Sequence, residues 1–348
     1  IVPLGRPAPA APTNGAPRPR ASQAPAAREL RVTVINGARG AAEGEVVLRA
    51  PAGWIVDPPA APVRFTREDE ARTVRVRLRP PAGVAPGAYT VRAVVRSGDR
   101  EFDRGYQVVE YPHVRRRHLV HEAAATVRVL DVAGVPGLSV GYVMGVGDEV
   151  PAAIEQLGGR VTLLGPEDLA WGDLSRFDVI VTGVRAYERR ADLRASNDRL
   201  LEYVRRGGTL IVQYNKFEFN EAQYGPYPAR VSSQRVTDER SPVRVLEPSH
   251  PVFTTPNRIT GRTWDGWVQE RGLYFLGDRD PRYRDLLELE DPFEYNAGPR
   301  RGALVEATVG TGRWIYVGLG LWRQLPAGTP GAYELLANLL ALGRSSRR

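Results

Sequence analysis

The run LLEYVRRGGTLIVQYN, residues 200–215, decides the fold of the second half of the chain. Leu200, Leu201 and Val204 continue an apolar spacing that begins with Leu193, so the pattern predicts a helix over 192–206. Gly207-Gly208 ends it, and Thr209 to Tyr214 follows as a short apolar run of strand length. A second such run, FDVIVTGV at 177–184, precedes the helix. Working outward, Ser139 to Met144, Arg160 to Leu164, Leu273 to Phe275, Ala303 to Thr308 and Trp314 to Leu319 read as further strands. Glu149 to Leu157 and Gly331 to Leu342 read as helices. Apolar strands alternating with helices imply a sheet covered on both faces. The expectation is a flavodoxin-like, doubly wound parallel sheet of about five or six strands, with a long insertion at about 216–270.

The first half has a different rhythm. Leu30, Val32 and Val34, then Val46 and Leu48, alternate between turn glycines. Thr73 to Leu78, Tyr89 to Val95 and Phe102 to Val109 continue the series without a helical period. Short strands at this spacing predict an immunoglobulin-like β-sandwich. Trp54 is expected as a plug between the sheets, the alternative being an exposed ring that stacks on a sugar, and Gly87 is expected as a turn residue. The organisation expected is therefore multidomain β + α/β. A Pro/Ala-rich disordered linker occupies 1–27, a sandwich 28–112, a linker 113–126 and an α/β domain 127–345.

Composition narrows the chemistry. The 348 residues contain no cysteine, which excludes disulfides, thiolate metal sites and cysteine nucleophiles. No apolar run is long enough to span a membrane. The net charge of +8 comes from arginines spread over every segment, with Lys216 the only lysine, so nucleic acid is not the expected partner. Arg115-Arg116-Arg117 reads as a solvated turn. His113, His118 and His121 sit near one another, but no second ligand pair follows at matching spacing, and no metal or other cofactor is expected. The chain opens at Ile1 without an initiator Met or signal-peptide pattern, and is expected to be the trailing part of a longer protein.

In open α/β sheets ligands bind beyond the carboxyl ends of the strands. That rule nominates Gly145, Gly147, Asp148 and Glu149 after the first strand of the domain, Gly183, Arg185 and Tyr187 after the third, and Tyr214, Asn215 and Lys216 after the fourth. The glycines lack the full dinucleotide-binding spacing. His250, in the turn HPVF at 250–253, and the pair Asp265 and Trp267 beside Trp264 complete the candidates. A tryptophan next to an acid suits a sugar, and suits equally a loop packed on its own aromatics.

Two resemblances bear on these residues. PAGW at 51–54 and PPAGVAPGAY at 80–89 resemble the bacterial sandwich domain associated with alpha-galactosidases and NPCBM modules. FDVIVTGV, LLEYVRRGGTLIVQYN, HPVF and GRWIYVGLG (312–320) resemble the class I glutamine amidotransferase-like superfamily, nearer its trehalose-utilisation-type branch. That superfamily places a cysteine at the turn after the strand equivalent to 209–213; here the turn is Tyr214-Asn215-Lys216, so the resemblance implies lost glutaminase chemistry. The order of modules resembles the C-terminal region of large bacterial LmbE-like, PIG-L-type deacetylases, whose His-Pro-Asp-Asp zinc motif is missing here, His250-Pro251 being followed by Val252-Phe253.

The expectation is a non-catalytic accessory region that binds a glycan or docks on an upstream deacetylase domain, in an extracytoplasmic setting implied by the family. The alternatives are an autonomous carbohydrate hydrolase using Asp148, Glu149, His250 or Asp265 as acid/base groups, and a structural interaction module.

Overall fold

The computed structural model describes residues 1–3 and 27–345, so the expected linker at 4–26 lies outside the described residues. The chain divides into two units, with the boundary after Asp131.

The first unit is all β. In order, its strands are β1 (Val2–Pro3), β2 (Arg28–Ile35), β3 (Ala42–Arg49), β4 (Ile55–Asp57), β5 (Ala61–Phe65) and β6 (Ala71–Arg79). They are followed by β7 (Gly87–Ser97), β8 (Arg100–Phe102), β9 (Arg104–Tyr111), β10 (Val114–Glu122) and β11 (Ala124–Leu130). One sheet runs β1-β11-β7-β3-β5, with β8 also on β7; the other runs β2-β6-β4. The alternation read from the sequence is the reason these segments are strands: every second residue of β2, from Leu30 to Val34, lies toward the other sheet. Leu48, Val76, Leu78, Val91, Val127 and Val129 form the core between them. Each such side chain contributes about 1.5–3 kcal/mol on burial. Trp54 is half-buried against this core with its ring 5.2 Å from Tyr89. Gly83, at φ +76°, is the turn glycine, whereas Gly87 opens β7.

Two expectations change here. Val2 and Pro3, placed in the linker, pair in parallel with Val129 and Leu130. Residues 113–126, also expected as a linker, hold β10 and the start of β11. The arginines and histidines of 113–121 hide the strand because both faces of β10 are exposed, so no apolar alternation marks it.

The second unit contains β12 (Ser139–Val143), α1 (Val150–Gln156), β13 (Arg160–Leu163), α2 (Pro166–Ala170), β14 (Val179–Thr182), α3 (Ala186–Arg189), α4 (Ala191–Ala195), α5 (Asn197–Arg205) and β15 (Thr209–Gln213). Small strands follow: β16 (Ala229–Val231), β17 (Arg235–Val236), β18 (Val243–Val245), then α6 (Pro251–Thr254), β19 (Gly272–Leu273), β20 (Leu276–Arg279), β21 (Tyr283–Asp285), β22 (Leu287–Leu289) and β23 (Arg300–Arg301). The chain closes with β24 (Leu304–Val309), β25 (Gly312–Val317), α7 (Leu321–Ala327) and α8 (Pro330–Ser345).

The main sheet has the order β13-β12-β14-β15-β25-β24-β21. Pairing is parallel from β13 through β25 and antiparallel at β24 and β21. The sheet is thus mixed, and the expected strand at 303–308 is an antiparallel addition. Ile180, Leu210, Val212, Trp314 and Tyr316 meet Leu200, Leu201 and Val204 of α5 on one face. On the other, Gly343 of α8 lies so close to Asp178 and Val179 that a Cβ would come within 2.4 Å of both. The helix expected over 192–206 is broken at Ser196, which separates α4 from α5.

Candidate functional site

The parallel strands end at one edge of the main sheet, and their following loops determine what that edge exposes. After β12, the chain passes so close to the Val184 carbonyl that a Cβ on Gly145 would stand 2.0 Å from it, and Gly147 takes φ +98°. This turn brings Asp148 back over the strand ends. One carboxylate oxygen accepts from the Tyr142 hydroxyl at 2.6 Å and from the Val150 amide at 3.1 Å; the other accepts from the Val184 amide at 3.2 Å. Gln213 donates to Tyr142 at 2.8 Å. Burial, and then the Asp148 charge, push the Tyr142 hydroxyl well above its ordinary value, so it stays protonated as a donor. Asp148 thereby ties β12, β14 and β15 together, while Glu149 is exposed beside it.

After β14, Arg185 adopts a left-handed backbone, φ 56°. Its amide donates to the Tyr214 carbonyl at 2.9 Å, and its guanidinium pairs with Glu188 at 2.6 Å. That hydrogen bond holds Glu188 below the usual carboxylate range and Arg185 above its own. Tyr187 is fully buried, donating through its hydroxyl to Asn197 at 2.8 Å. Asn215 is buried too: its side-chain oxygen accepts from the Tyr187 amide at 3.1 Å and its nitrogen donates to the Gln213 carbonyl at 2.9 Å. Both side chains are thus buried and hydrogen-bonded within the unit, where the sequence rule placed them toward a ligand. One left-handed residue at this edge is thus Arg185, in the turn after β14, whereas the sequence resemblance expects a strained elbow after the neighbouring β15.

Tyr214 forms the floor of an aromatic shelf that the sequence reading missed. The Tyr274 ring stacks on it at 5.8 Å and 7°, Trp322 lies 5.9 Å away, and Phe217 meets Tyr274 edge-on at 5.8 Å. Phe217 is 54% exposed. Lys216 places its ammonium 5.9 Å from the Tyr274 ring centre. Arg323 lies over Trp322 at 4.0 Å and pairs with Glu270 at 2.7 Å. Tyr274 and Gln269 are left-handed, φ 52° and 66°; with Arg185 they are three of the four such non-glycine residues among those described. Non-glycine residues in this region store strain of about 1–3 kcal/mol each, which concentrates at functional sites. Two buried polar atoms, Trp322 Nε1 of α7 and Glu218 Oε2 of the segment after β15, have no hydrogen-bond partner among the described residues. The carboxyl-end rule, extended to β25, would have nominated Trp322 and Arg323; Tyr274 carried no local signal.

The remaining candidates lie apart. His250 caps α6: its Nδ1 accepts from the Val252 amide at 3.2 Å, which leaves Nε2–H to donate to Glu306 at 3.1 Å. Arg284, half-exposed, and Arg313, partly exposed, complete the cluster around the buried Glu306 carboxylate. Burial opposes ionisation of Glu306, but the His250 hydrogen bond and the two guanidinium groups override it and pull the carboxyl down to about 2. Trp267 is buried, 5.4 Å from Trp264, and its indole N–H donates to the Thr263 carbonyl at 3.0 Å. Both tryptophans pack their own loop, so neither is a sugar platform. Burial lowers the Arg271 guanidinium beside Trp267 to about 10. Asp265 is exposed on the same loop. Among the described residues no hydrogen bond joins any two of Asp148, Glu149, His250 and Asp265, and no three His, Asp or Glu side chains gather as a metal site. No described helix is long and apolar enough to cross a membrane. An open cleft of about 930 Å³ lies at the opposite, amino edge of the sheet; the arginines lining it are occupied, Arg199 by the Leu169 and Gly172 carbonyls and Arg206 by Glu202.

Comparison with known proteins gives a family match within the first unit and partial likenesses to solved structures over longer stretches. A comparison with curated proteins finds no match. Among solved structures the chain is similar to the β-galactosidase from Rahnella sp. R3, at 14% identity over 59% of this chain and 31% of that one, TM-score 0.37. The β-galactosidase from Bacillus circulans sp. alkalophilus gives 15% identity over 60% of this chain and 31% of that one, TM-score 0.38. SSP-19 of Caenorhabditis elegans, an MSP-domain protein like family member, gives 14% over 30% and 87%, TM-score 0.17. The chain thus matches about a third of the length of the two galactosidases. Residues 24–98 match the family model described as the NPCBM-associated, NEW3 domain of alpha-galactosidase, so the sandwich is similar to a galactosidase-associated domain.

Proposed function

We propose that the chain is a non-catalytic accessory region of a carbohydrate-active protein and that the carboxyl edge of its second unit binds a glycan. The observation that carries this reading is the Tyr214–Tyr274 stack with half-exposed Phe217 and the lone lysine, Lys216, at the strand ends. Sugar rings present apolar C–H faces that stack on aromatic rings, and their hydroxyls take charged or polar partners at the rim. Lys216, the Arg185–Glu188 pair and the Arg323–Glu270 pair supply that rim. The match of the sandwich to a domain of alpha-galactosidase supports a carbohydrate context.

In the finer reading, the sandwich is immunoglobulin-like and the second unit is a flavodoxin-like, amidotransferase-like fold that lacks its nucleophile. The parent would be an LmbE-like, PIG-L-type deacetylase with its catalytic domain upstream, and the setting extracytoplasmic. What supports the fold assignment is the parallel order of β13 to β25 and the sequence at 200–215; what supports the absence of chemistry is the separation of Asp148, His250 and Asp265 into different loops, the first two with partners of their own. The test pairs two assays on the purified chain. A panel of immobilised galacto- and N-acetylglucosamine oligosaccharides is expected to show binding that Tyr274→Ala weakens, with no product release from any of them. Turnover of an oligosaccharide, or amide release from N-acetylated ones, would overturn the proposal.

A further inference from the structure

The β9–β10 hairpin leaves the sandwich as a free two-stranded arm. It pairs with no third strand among the described residues, and every residue of β10 and most of β9 are exposed. Two strands alone are marginally stable in water, and unpaired edges are sites of strand addition. The arm nevertheless carries Tyr106, Val108 and Val120 on one face, 45%, 37% and 59% exposed. Tyr106 lies opposite Val120, and Val108 opposite His118.

From this arm we infer that the chain self-associates, the β9 edges of two copies pairing antiparallel about a two-fold axis at Gln107. Directly opposed residues on antiparallel strands share a face. A register centred on Gln107 sets Tyr106 against Val108 of the second copy and Arg104 against its Glu110, each contact occurring twice. Neither charge has a good partner in the single chain: Arg104 has no ion pair among the described residues, and Glu110 meets only Arg116, at 3.9 Å with both exposed. The result is a four-stranded antiparallel sheet with Val120, Tyr106 and the second copy's Val108 in one row. The opposite edge cannot serve in this way, because Arg115, Arg116 and Arg117 of both copies would line a single seam. A registry shifted by one residue on each strand loses the Arg–Glu pairs and sets Tyr106 against Glu110. Cross-strand pairs contribute about 0.2–1 kcal/mol each, so the dimer is weak and salt-sensitive.

The test is sedimentation of the full chain at low salt, from about 1 to about 200 μM, the range where small interfaces associate. Wild type is expected to dimerise, Arg104→Glu and Glu110→Arg to stay monomeric, and the double reversal to recover the dimer. All three change exposed side chains, and recovery in the double variant excludes misfolding as the cause. Because the chain has no cysteine, Gln107→Cys offers a second readout. Oxidation by diamide is expected to link two copies through it, since opposed Cα atoms about 4.5–5.5 Å apart suit a disulfide. Arg104→Cys, distant from its own symmetry mate in this register, is expected to remain uncrosslinked. A monomer at every concentration, or a dimer indifferent to the single reversals, would overturn the inference.

Discussion

The Glu306 cluster and the Tyr214–Tyr274 shelf both combine aromatic rings with charge in one unit, and they are built to opposite specifications. Around Glu306, the buried carboxylate is fully answered: one histidine and two partly exposed arginines meet it, and His250 spends both ring nitrogens. At the shelf, Phe217 is half open, the ammonium of Lys216 leans on a ring, and Trp322 Nε1 is buried without a hydrogen-bond partner among the described residues. A closed set of charges can only stabilise the fold, whereas an open set with unanswered donors and acceptors can also receive a ligand. His250, an acid/base candidate in the sequence, is held by the geometry as a clamp on Glu306.

This contrast can be broken at several points. Glu306→Gln removes a buried carboxylate from its histidine and two partly exposed arginines, and is expected to cost about 3 kcal/mol in chemical denaturation without altering glycan binding by the folded fraction. Trp267→Ala should cost a similar amount, about 3–5 kcal/mol, by opening a cavity. A loss of binding out of proportion to the folded fraction would return Trp267 to the site.

The Glu306 clamp also has a pH signature. Its carboxyl titrates near 2 in the folded chain, below the ordinary glutamate value of 4.5, so its contribution is fully present above about pH 4.5. It is lost as the pH falls toward 2. Unfolding free energies measured over that window should drop by about 3 kcal/mol more in wild type than in Glu306→Gln. Asp148→Asn probes the middle ground between clamp and shelf. Because Asp148 accepts three hydrogen bonds at the strand ends, the change should cost about 1–3 kcal/mol and leave binding in place.

Much of this architecture was legible before any coordinates. Alternation marked β2, β3, β6 and β7, and continuous apolar runs marked β12, β14 and β15, because these strands bury one face or both. The arm was not legible: Val114 to Glu122 exposes both faces, so its side-chain pattern answers to no core. Ser196 was absorbed into a helix it interrupts, since the apolar spacing continues across it. The shelf was half legible. Tyr214 and Lys216 follow from the end of β15, but Tyr274 reaches them from beyond β19 only because the chain after Leu273 turns through a left-handed residue. Tyr187 and Asn215 were placed at the right edge and misjudged in depth, because sequence position gives the strand end but not the direction of the side chain.

The account rests on the shelf being a binding surface and not a covered core. Phe217→Ala isolates that claim, since truncating a half-exposed ring should move stability by no more than about 0.5 kcal/mol. In titration calorimetry with the tightest-binding oligosaccharide of the panel, the wild-type chain is expected to bind saturably. Phe217→Ala should bind about tenfold more weakly, the equivalent of one aromatic contact of about 1.4 kcal/mol. No heat from wild type with any oligosaccharide of the panel, or equal affinity in the two proteins at equal stability, would contradict it.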